Sequence, residues 1–442
     1  MSPPVRSIAS DEKLPGTVDV VIIGGGIAGT ATAYALRKKG RSVALIEKGN
    51  VAGEQSSRNW GWCRQQNRDA REVPLIKHSL RLWEDLSRET GAELGFRRTG
   101  LVYVTIKPGD LADWEKWAGI AREHDVDSRL LSAKQAKDMT PGSVGEWIGG
   151  VHSPTDGRAE PALAVPAMAE AARNLGATLH QNCAVRGLDI QAGRVAGVVT
   201  EKGVIRADAV LCAAGAWTGL FCRRYGIRFV QASVRSTSFF TEAAPEVTDG
   251  GVSMSDVTFR RRLDGGYSVG MSGRGLLEIS PQGLQYARQF WPTFKKRRWG
   301  LKVSIGRSFF EGPEAFQNWS LDAPSPFEKM RTVDPAPDPQ LVQLGLTRLA
   351  ATYPALAGVK VARSWGGLVD LTPDAIPVIS AVDSLPGFFI SAGFSGHGFG
   401  IGPAAGQLAA DLINGDTPIV DPHPYRHARM VDGTNLGAPG MM

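Results

Sequence analysis

The segment from Val18 to Glu47 constrains the fold more than any other. Val18 to Ile23 is an apolar, β-branched run of strand length, the composition of a strand buried on both faces. Gly24, Gly26 and Gly29 follow at once in a G-x-G-x-x-G pattern. The first allows a tight turn, the second lets backbone approach a pyrophosphate, and the third lets a helix pack on the strand. The spacing predicts a helix over Thr30 to Lys39 that Gly40 ends, then a strand over Ser42 to Ile46 delivering Glu47. An acid there is placed for a ribose hydroxyl pair, and the phosphates would face the helix N-terminus, where free N–H groups and the dipole favour anions. The expected class is therefore α/β with a dinucleotide-binding core.

At 442 residues, 43% of them hydrophobic and 21% charged, the chain predicts a soluble protein of two domains. The net charge of +6 is modest and its basic residues are scattered without a reader motif, which argues against nucleic acid. Cys63, Cys183, Cys212 and Cys222 have no metal or redox spacing and read as reduced thiols of a cytoplasmic protein; no metal site is expected. Residues 1–17 hold three prolines and no hydrophobic core of a leader, the pattern of a flexible tail.

Further along, residues 51–64 mix Gly and Ser with two Trp, two Arg and Cys63, an odd makeup for a solvent loop and a fair one for a loop beside a cofactor. Val73 to Thr90 has helical apolar spacing, and Pro161 to Leu175 is a second clear helix. Ala209 to Trp217 is a buried strand opening into small residues, consistent with a second backbone approach to the same dinucleotide. Residues 392–402 (Ala-Gly-Phe-Ser-Gly-His-Gly-Phe-Gly-Ile-Gly) precede a helix expected over Pro403 to Asn414, with Pro403 at its first position. That gives a second anion-facing helix N-terminus, suited to the negative charge of a reduced flavin. Phe290 to Trp299 mixes aromatics with Lys295, Lys296, Arg297 and Arg298; it reads either as a solvated helix face with anchoring aromatics or as a membrane or partner contact.

The fingerprint, Asp156-Gly157, Ala213 to Trp217, Thr372-Pro373-Asp374 and Gly396-His397-Gly398-Phe399 together resemble the FAD-dependent D-amino-acid oxidase, sarcosine oxidase and glycine oxidase superfamily. Residues 47–58, 186–203 and 318–328 are most similar to membrane-associated bacterial L-amino acid deaminases. The resemblance implies a Rossmann-like FAD domain over 18–96, 150–227 and 361–425. It also implies an α+β substrate domain with an antiparallel sheet over 97–149 and 228–360, including an insertion at 282–334, and a tail at 426–442. It implies oxidation of the CH–NH bond of an amino acid or related amine to an imine, by a deaminase or dehydrogenase or, alternatively, by an oxidase that makes peroxide. The 282–334 insertion would be the contact to a membrane face or a quinone-type acceptor.

There are departures from the pattern. No hydrophobic segment opens the chain; Gly367 stands where sarcosine oxidases attach flavin through Cys, and Gly400 where they carry a carboxylate-binding Lys. Their oxygen-activating lysine falls near Ser268. The flavin is therefore expected to be noncovalent, although Cys63 invites the opposite idea.

The flavin-holding positions carried over are Gly24, Gly26, Ile27, Ala28, Gly29, Glu47, Lys48, Ser56, Ser57, Arg58, Asn59, Trp60 and Gly61 from the first segment. Val185, Ala214, Gly215, Trp217, Gly366, Gly393, Gly396, His397, Gly398, Phe399 and Gly400 complete the set. Arg274 matches the arginine that forks onto a substrate carboxylate, with a solvated loop arginine as the alternative. Arg64 would bind substrate or offset reduced-flavin charge, or else make a structural ion pair, and His397 would line the cofactor.

Overall fold

The computed structural model describes residues 2–437. Six strands form the nucleotide-type sheet, in the spatial order Val378–Ala381, Phe388–Ala392, Ala209–Cys212, Val20–Ile23, Val43–Ile46 and Thr178–His180. Neighbours are parallel except the first two, which run antiparallel. Burial on both faces explains the unbroken apolar run of Val20–Ile23, whose four residues are all buried. The strand has Val43–Ile46 on one side and Ala209–Cys212 on the other, so the winding reverses there and a crevice opens beyond the carboxyl ends of the strands.

Helix Ile27–Lys38 leaves the first strand and packs between helices Pro161–Asn174 and Gly398–Asn414. Its contact with the latter is close because two glycines lie in the seam. A Cβ on Gly402 would stand 2.4 Å from Ile27 Cγ1, and one on Gly406 would stand 2.5 Å from Ala31 Cβ. The expected start of the last helix is corrected here: it begins at Gly398, with Pro403 inside it. Ser79 makes this possible. Its hydroxyl donates to the Gly400 carbonyl (2.6 Å) and accepts from the Ala404 amide (3.5 Å), and Trp83 Nε1 also donates to Gly400 (3.0 Å). Side chains of the Val73–Thr90 helix thus take over hydrogen bonding next to the proline.

A ten-stranded, mostly antiparallel sheet forms the second layer. Its centre is the pairing of Ala232–Thr241 with Val361–Leu371, in register from Ala232 opposite Leu371 to Phe240 opposite Arg363, with a one-residue shift before Thr241 meets Val361. Two junctions are parallel, Gly251–Ser253 with Leu101–Thr105 and Gly275–Ile279 with Leu301–Ile305. The segment boundaries differ from expectation at two places. Gly149–Ser153 pairs with Leu101–Thr105, and Val361–Leu371 pairs as above, so residues 150–153 and 361–371, expected in the flavin domain, hydrogen-bond into this sheet.

The N-terminal segment also departs from a flexible tail. Arg6 pairs with Glu170 (2.8 Å), Asp11 pairs with Arg173 (2.7 Å), and Ser2 donates to Asp334 (2.8 Å). The expected tail at 426–442 begins with the turn His427–Met430, whose Arg429 is buried against Asp374 (3.3 Å); residues 438–442 lie outside the described residues. Replacing Gly406 with valine should lower unfolding free energy by roughly 2 kcal/mol, because overpacking a tight seam costs about 1–3 kcal/mol. Urea denaturation followed by circular dichroism reads it, and an unchanged midpoint would refute the seam argument.

Candidate active site

A cavity of about 1220 Å³ lies along the crevice. It exceeds the roughly 300–1,000 Å³ of ordinary ligand pockets, leaving room for an extended dinucleotide and a small molecule. At its first end, Gly24 has φ +112°, and a Cβ there would meet the Ala213 carbonyl at 2.4 Å. A Cβ on Gly29 would stand 2.0 Å from the Gly24 carbonyl, so this glycine serves helix–strand packing and does not itself line the cavity. Helix Ile27–Lys38 has no acidic residue in its first turn, and Gly26 before it has no side chain to cap it; of its first amides, that of Ile27 donates to Ser56 Oγ. An open helix N-terminus beside backbone that only glycine can form fits a pyrophosphate.

Most expected positions line this cavity: Gly24, Gly26, Ile27, Ala28, Glu47, Lys48, Ser56, Arg58, Asn59, Trp60, Val185, Ala214, Gly215, Trp217, Gly396, His397, Gly398, Phe399 and Gly400, with Arg64 and Arg274. Gly29, Ser57, Gly61, Gly366 and Gly393 do not. Each of the last four has a backbone or packing reason for its place. Ser57 Oγ donates to the Glu54 carbonyl (3.2 Å), and Gly61 abuts the Ala159 carbonyl, 2.4 Å from where a Cβ would be. Gly366 donates to Pro335 (3.2 Å) and Gly393 to Asp370 Oδ2 (2.9 Å).

Glu47 accepts from the amides of Gly25 and Gly49, both at 2.7 Å, which fixes its carboxylate at the strand end. Ser56 Oγ accepts from the Ile27 amide (2.9 Å) and so ties the 51–64 segment to the fingerprint. That segment folds as a short helix, Gln55–Arg58, and a strand, Trp62–Cys63, paired with Gly157–Arg158. Asp156 accepts from the Gln65 amide (2.7 Å), holding the chain as it leaves Arg64. Arg58 hydrogen-bonds the Val333 carbonyl and Ser2 Oγ, so it braces three segments while lining the cavity. Cys63 is buried, burial pushes its thiol up, and it does not line the cavity. Gly367, in contrast, lines it and packs against Arg58.

His397, Arg64 and Arg68 also line the cavity. His397 Nδ1 is 3.1 Å from Glu72 Oε2, and both residues are buried. Burial, and then the Arg68 guanidinium, push the His397 imidazole down to about 4, so it is neutral at pH 7. Burial alone would raise Glu72, but His397 and Arg68 hold it below the ordinary carboxylate value. Arg64 hydrogen-bonds the Gln66 carbonyl and pairs with no carboxylate among the described residues. Arg274 is exposed, lies just after the turn that closes strand Tyr267–Met271, and likewise has no carboxylate partner among the described residues. The insertion touches that turn: a Cβ on Gly300 would stand 1.8 Å from the Gly273 carbonyl.

Arg68, Glu72 and Asp370 were not singled out from the sequence. Asp370, buried in the cavity wall, accepts from Gln55 (2.8 Å), Gln231 (3.1 Å) and the Gly393 amide (2.9 Å), joining parts of the chain more than 300 residues apart. The one sequence signal was its place two residues before the Thr-Pro-Asp element. The basic run 295–298 also divides. Arg297 is half-buried and lines the cavity, whereas Lys295 and Arg298 are exposed.

Residues 19–412 match the DAO family, described as FAD dependent oxidoreductase, and the chain belongs to that family. Its cofactor is accordingly FAD. Among curated proteins it is similar to human mitochondrial sarcosine dehydrogenase, 27% identical over 93% of this chain; it spans only 41% of that relative's length. Among solved structures it is similar to L-amino acid deaminase from Proteus myxofaciens in complex with anthranilate, with TM-score 0.92 and 29% identity over 97% of each chain. L-amino acid deaminase from Proteus vulgaris gives 0.89 at 29% identity over 96% of this chain and 99% of that one. The form of the latter that lacks its specific insertion sequence gives 0.77 at 26% identity over 96% of each chain.

Replacing Gly24 with valine should yield protein that purifies without flavin colour, since φ +112° and the 2.4 Å approach leave no room for a side chain. Flavin absorbance per chain after incubation with FAD checks this, and native retention would remove the cradle assignment.

Proposed function

We propose that the protein oxidises the CH–NH bond of a small amino acid or related amine to an imine, which water hydrolyses to a keto acid or aldehyde and ammonia or amine. The observation that carries the reading is the cavity itself. It is lined by the fingerprint glycines, by His397 and by two arginines, Arg64 and Arg274, that lack carboxylate partners among the described residues. FAD, when bound, supplies the hydride acceptor. The residues that would hold it are the fingerprint glycines, Glu47, Ser56 and the 396–400 turn, bound noncovalently since Gly367 and the buried Cys63 offer no attachment. The half-buried Arg64 lines this site without an ion pair among the described residues, and the exposed Arg274 offers a planar fork for a carboxylate. Trp60, fixed by donation to Ser238 Oγ (2.8 Å), Trp62 and Tyr103 give the site apolar walls that exclude water. The names of the relatives, a sarcosine dehydrogenase and L-amino acid deaminases, support this substrate class.

Anaerobic mixing of the FAD-loaded protein with a panel of amino acids and amines should bleach the flavin for members of this class, and no bleaching by any would reject the reading. Arg274→Met should slow bleaching by amino acids about ten- to hundredfold while sparing amines without a carboxylate, because a charge-assisted hydrogen bond is worth about 1.5–3 kcal/mol. Equal slowing of both groups would take Arg274 out of carboxylate binding.

The electron acceptor in this reading is a membrane quinone or similar carrier and not oxygen. No helix among the described residues is long and apolar enough to cross a membrane. The insertion instead exposes Trp299 (86%), Phe310 (77%) and Ile305 (70%) beside the exposed Lys295 and Arg298. Such a patch suits reversible docking on anionic lipid, which contributes roughly 1 kcal/mol for each basic residue at the surface. Co-sedimentation with phosphatidylserine-containing vesicles should therefore fall about tenfold or more in a Lys295→Glu/Arg298→Glu/Trp299→Ala variant. Equal and negligible pelleting of both proteins, or rapid oxygen consumption by the native enzyme, would overturn the docking and acceptor assignments respectively.

A further inference from the structure

We propose that Glu72, acting through His397, gives the flavin site a built-in proton acceptor, so that Nε2 of His397 takes up one proton when negative charge arises in the cavity. The inference rests on FAD occupying the cavity described above, and it goes beyond that reading by assigning a role to buried groups that amine oxidation as such does not require.

The geometry comes first. His397 sits at the start of helix Gly398–Asn414 and lines the cavity, with Nδ1 directed at Glu72 Oε2 (3.1 Å). Its other ring nitrogen has no protein partner among the described residues. Glu72, which opens helix Val73–Thr90, has no exposed surface, and its Oε1 has no hydrogen-bond partner among the described residues. Arg68, only 1% exposed, lies 3.9 Å from Glu72 through Nη1, and that atom also lacks a hydrogen-bond partner among the described residues. The backbone secures the arrangement. Trp117 Nε1 donates to the Arg68 carbonyl (2.8 Å), Arg68 Nε donates to the Arg64 carbonyl (3.1 Å), and Tyr425 donates to Arg71 (2.6 Å).

An ionised Glu72 accepting from Nδ1–H fixes the imidazole tautomer and leaves a lone pair on Nε2. The charged groups facing His397 are Arg64, Arg68 and Glu72, with Asp69 nearby; Arg71 is occupied by Asp69 and Asp374. Two cations against one interior carboxylate disfavour imidazolium, and burial adds to this, so His397 is neutral before reduction. Negative charge arriving in the cavity reverses that balance. The proton then forms an N–H bond at Nε2, and Glu72 carries the countercharge to the new imidazolium. During turnover the substrate's ammonium group sheds its proton to solvent before hydride leaves carbon, and Nε2 takes one proton back from solvent once the hydride has brought negative charge into the cavity. The two electrons leave with the hydride, and no further reactant is needed. Glu72 is thus a positioning residue, and His397 is the group that binds the proton.

The test is the midpoint potential of bound FAD as a function of pH, with photochemical reduction and no substrate, together with proton uptake read by an indicator dye in weak buffer. Native protein should take up about one extra proton per flavin below a break between roughly pH 5 and pH 9, and none above it. Glu72→Gln should move the break down by about 1–3 pH units, the usual effect of an adjacent opposite charge. Glu72→Asp should keep it, and His397→Gln should abolish it. If Glu72→Gln fails to fold, having left Arg68 unpaired, the other two variants still decide the question. A break unmoved in Glu72→Gln or persisting in His397→Gln would overturn the proposal, as would its loss in Glu72→Asp with FAD still bound. A purely structural role would lower melting temperature and FAD affinity without moving the break. Because no amine is present, failure of the substrate reading would leave this result intact.

Discussion

The close approach of two helices governs where everything else can sit. Helix Ile27–Lys38 and helix Gly398–Asn414 come together because Gly402 and Gly406 present no side chain to Ile27 and Ala31. Both helices begin at the same cavity, one after the fingerprint glycines and the other after Gly396-His397. Two helix N-termini therefore converge on one space from different parts of the chain, each contributing partial positive charge. A larger side chain in the seam would spread the helices and separate the site's two ends.

The second dependence is electrostatic. The wall near His397 carries Arg64 and Arg68 against Glu72, an excess of positive charge in a place largely shielded from water. Such a wall favours anionic occupants and leaves His397 neutral. Asp370 supplies a second constraint. By accepting three hydrogen bonds inside the core, it joins the Gln55 segment, the start of the large sheet and the turn at Gly393. Both groups draw partners from distant segments, which lets a discontinuous domain act as one rigid support.

Features encoded over short distances were legible in the sequence. The fingerprint strand, its helix and Glu47 lie within thirty residues and obey local periodicity, and the structure places them together as the pattern required. Pro403 misled because proline's preference for a first helical turn is a local rule, whereas the donors that let it sit deeper, Ser79 and Trp83, come from more than 300 residues away. Arg68 and Glu72 gave no signal for the same reason: nothing in their own stretch reveals that Glu72 meets His397. The 295–298 run reads as one basic block, yet a helix turns successive side chains by 100°, so Lys296 and Arg297 reach the cavity while Lys295 and Arg298 face away from it. The tails read as loose from their composition, but the ion pairs of Arg6, Asp11 and Arg429 hold them down.

The strand order of the six-stranded sheet also sets a timetable for biosynthesis. Ala209–Cys212 leaves the ribosome some 190 residues after its neighbour Val20–Ile23, and Phe388–Ala392 later still. At about 5–20 residues per second, the first strand waits on the order of tens of seconds for the sheet to be completed. Throughout that interval a β-branched, uncharged segment, paired with Val43–Ile46 on one side, has its other hydrogen-bonding edge open, the condition under which nascent chains pair wrongly. Loop closures of this length make the nucleotide fold slow to assemble whatever its final stability. Building one dinucleotide site from distant stretches of chain thus carries a cost in folding time that a local fold escapes.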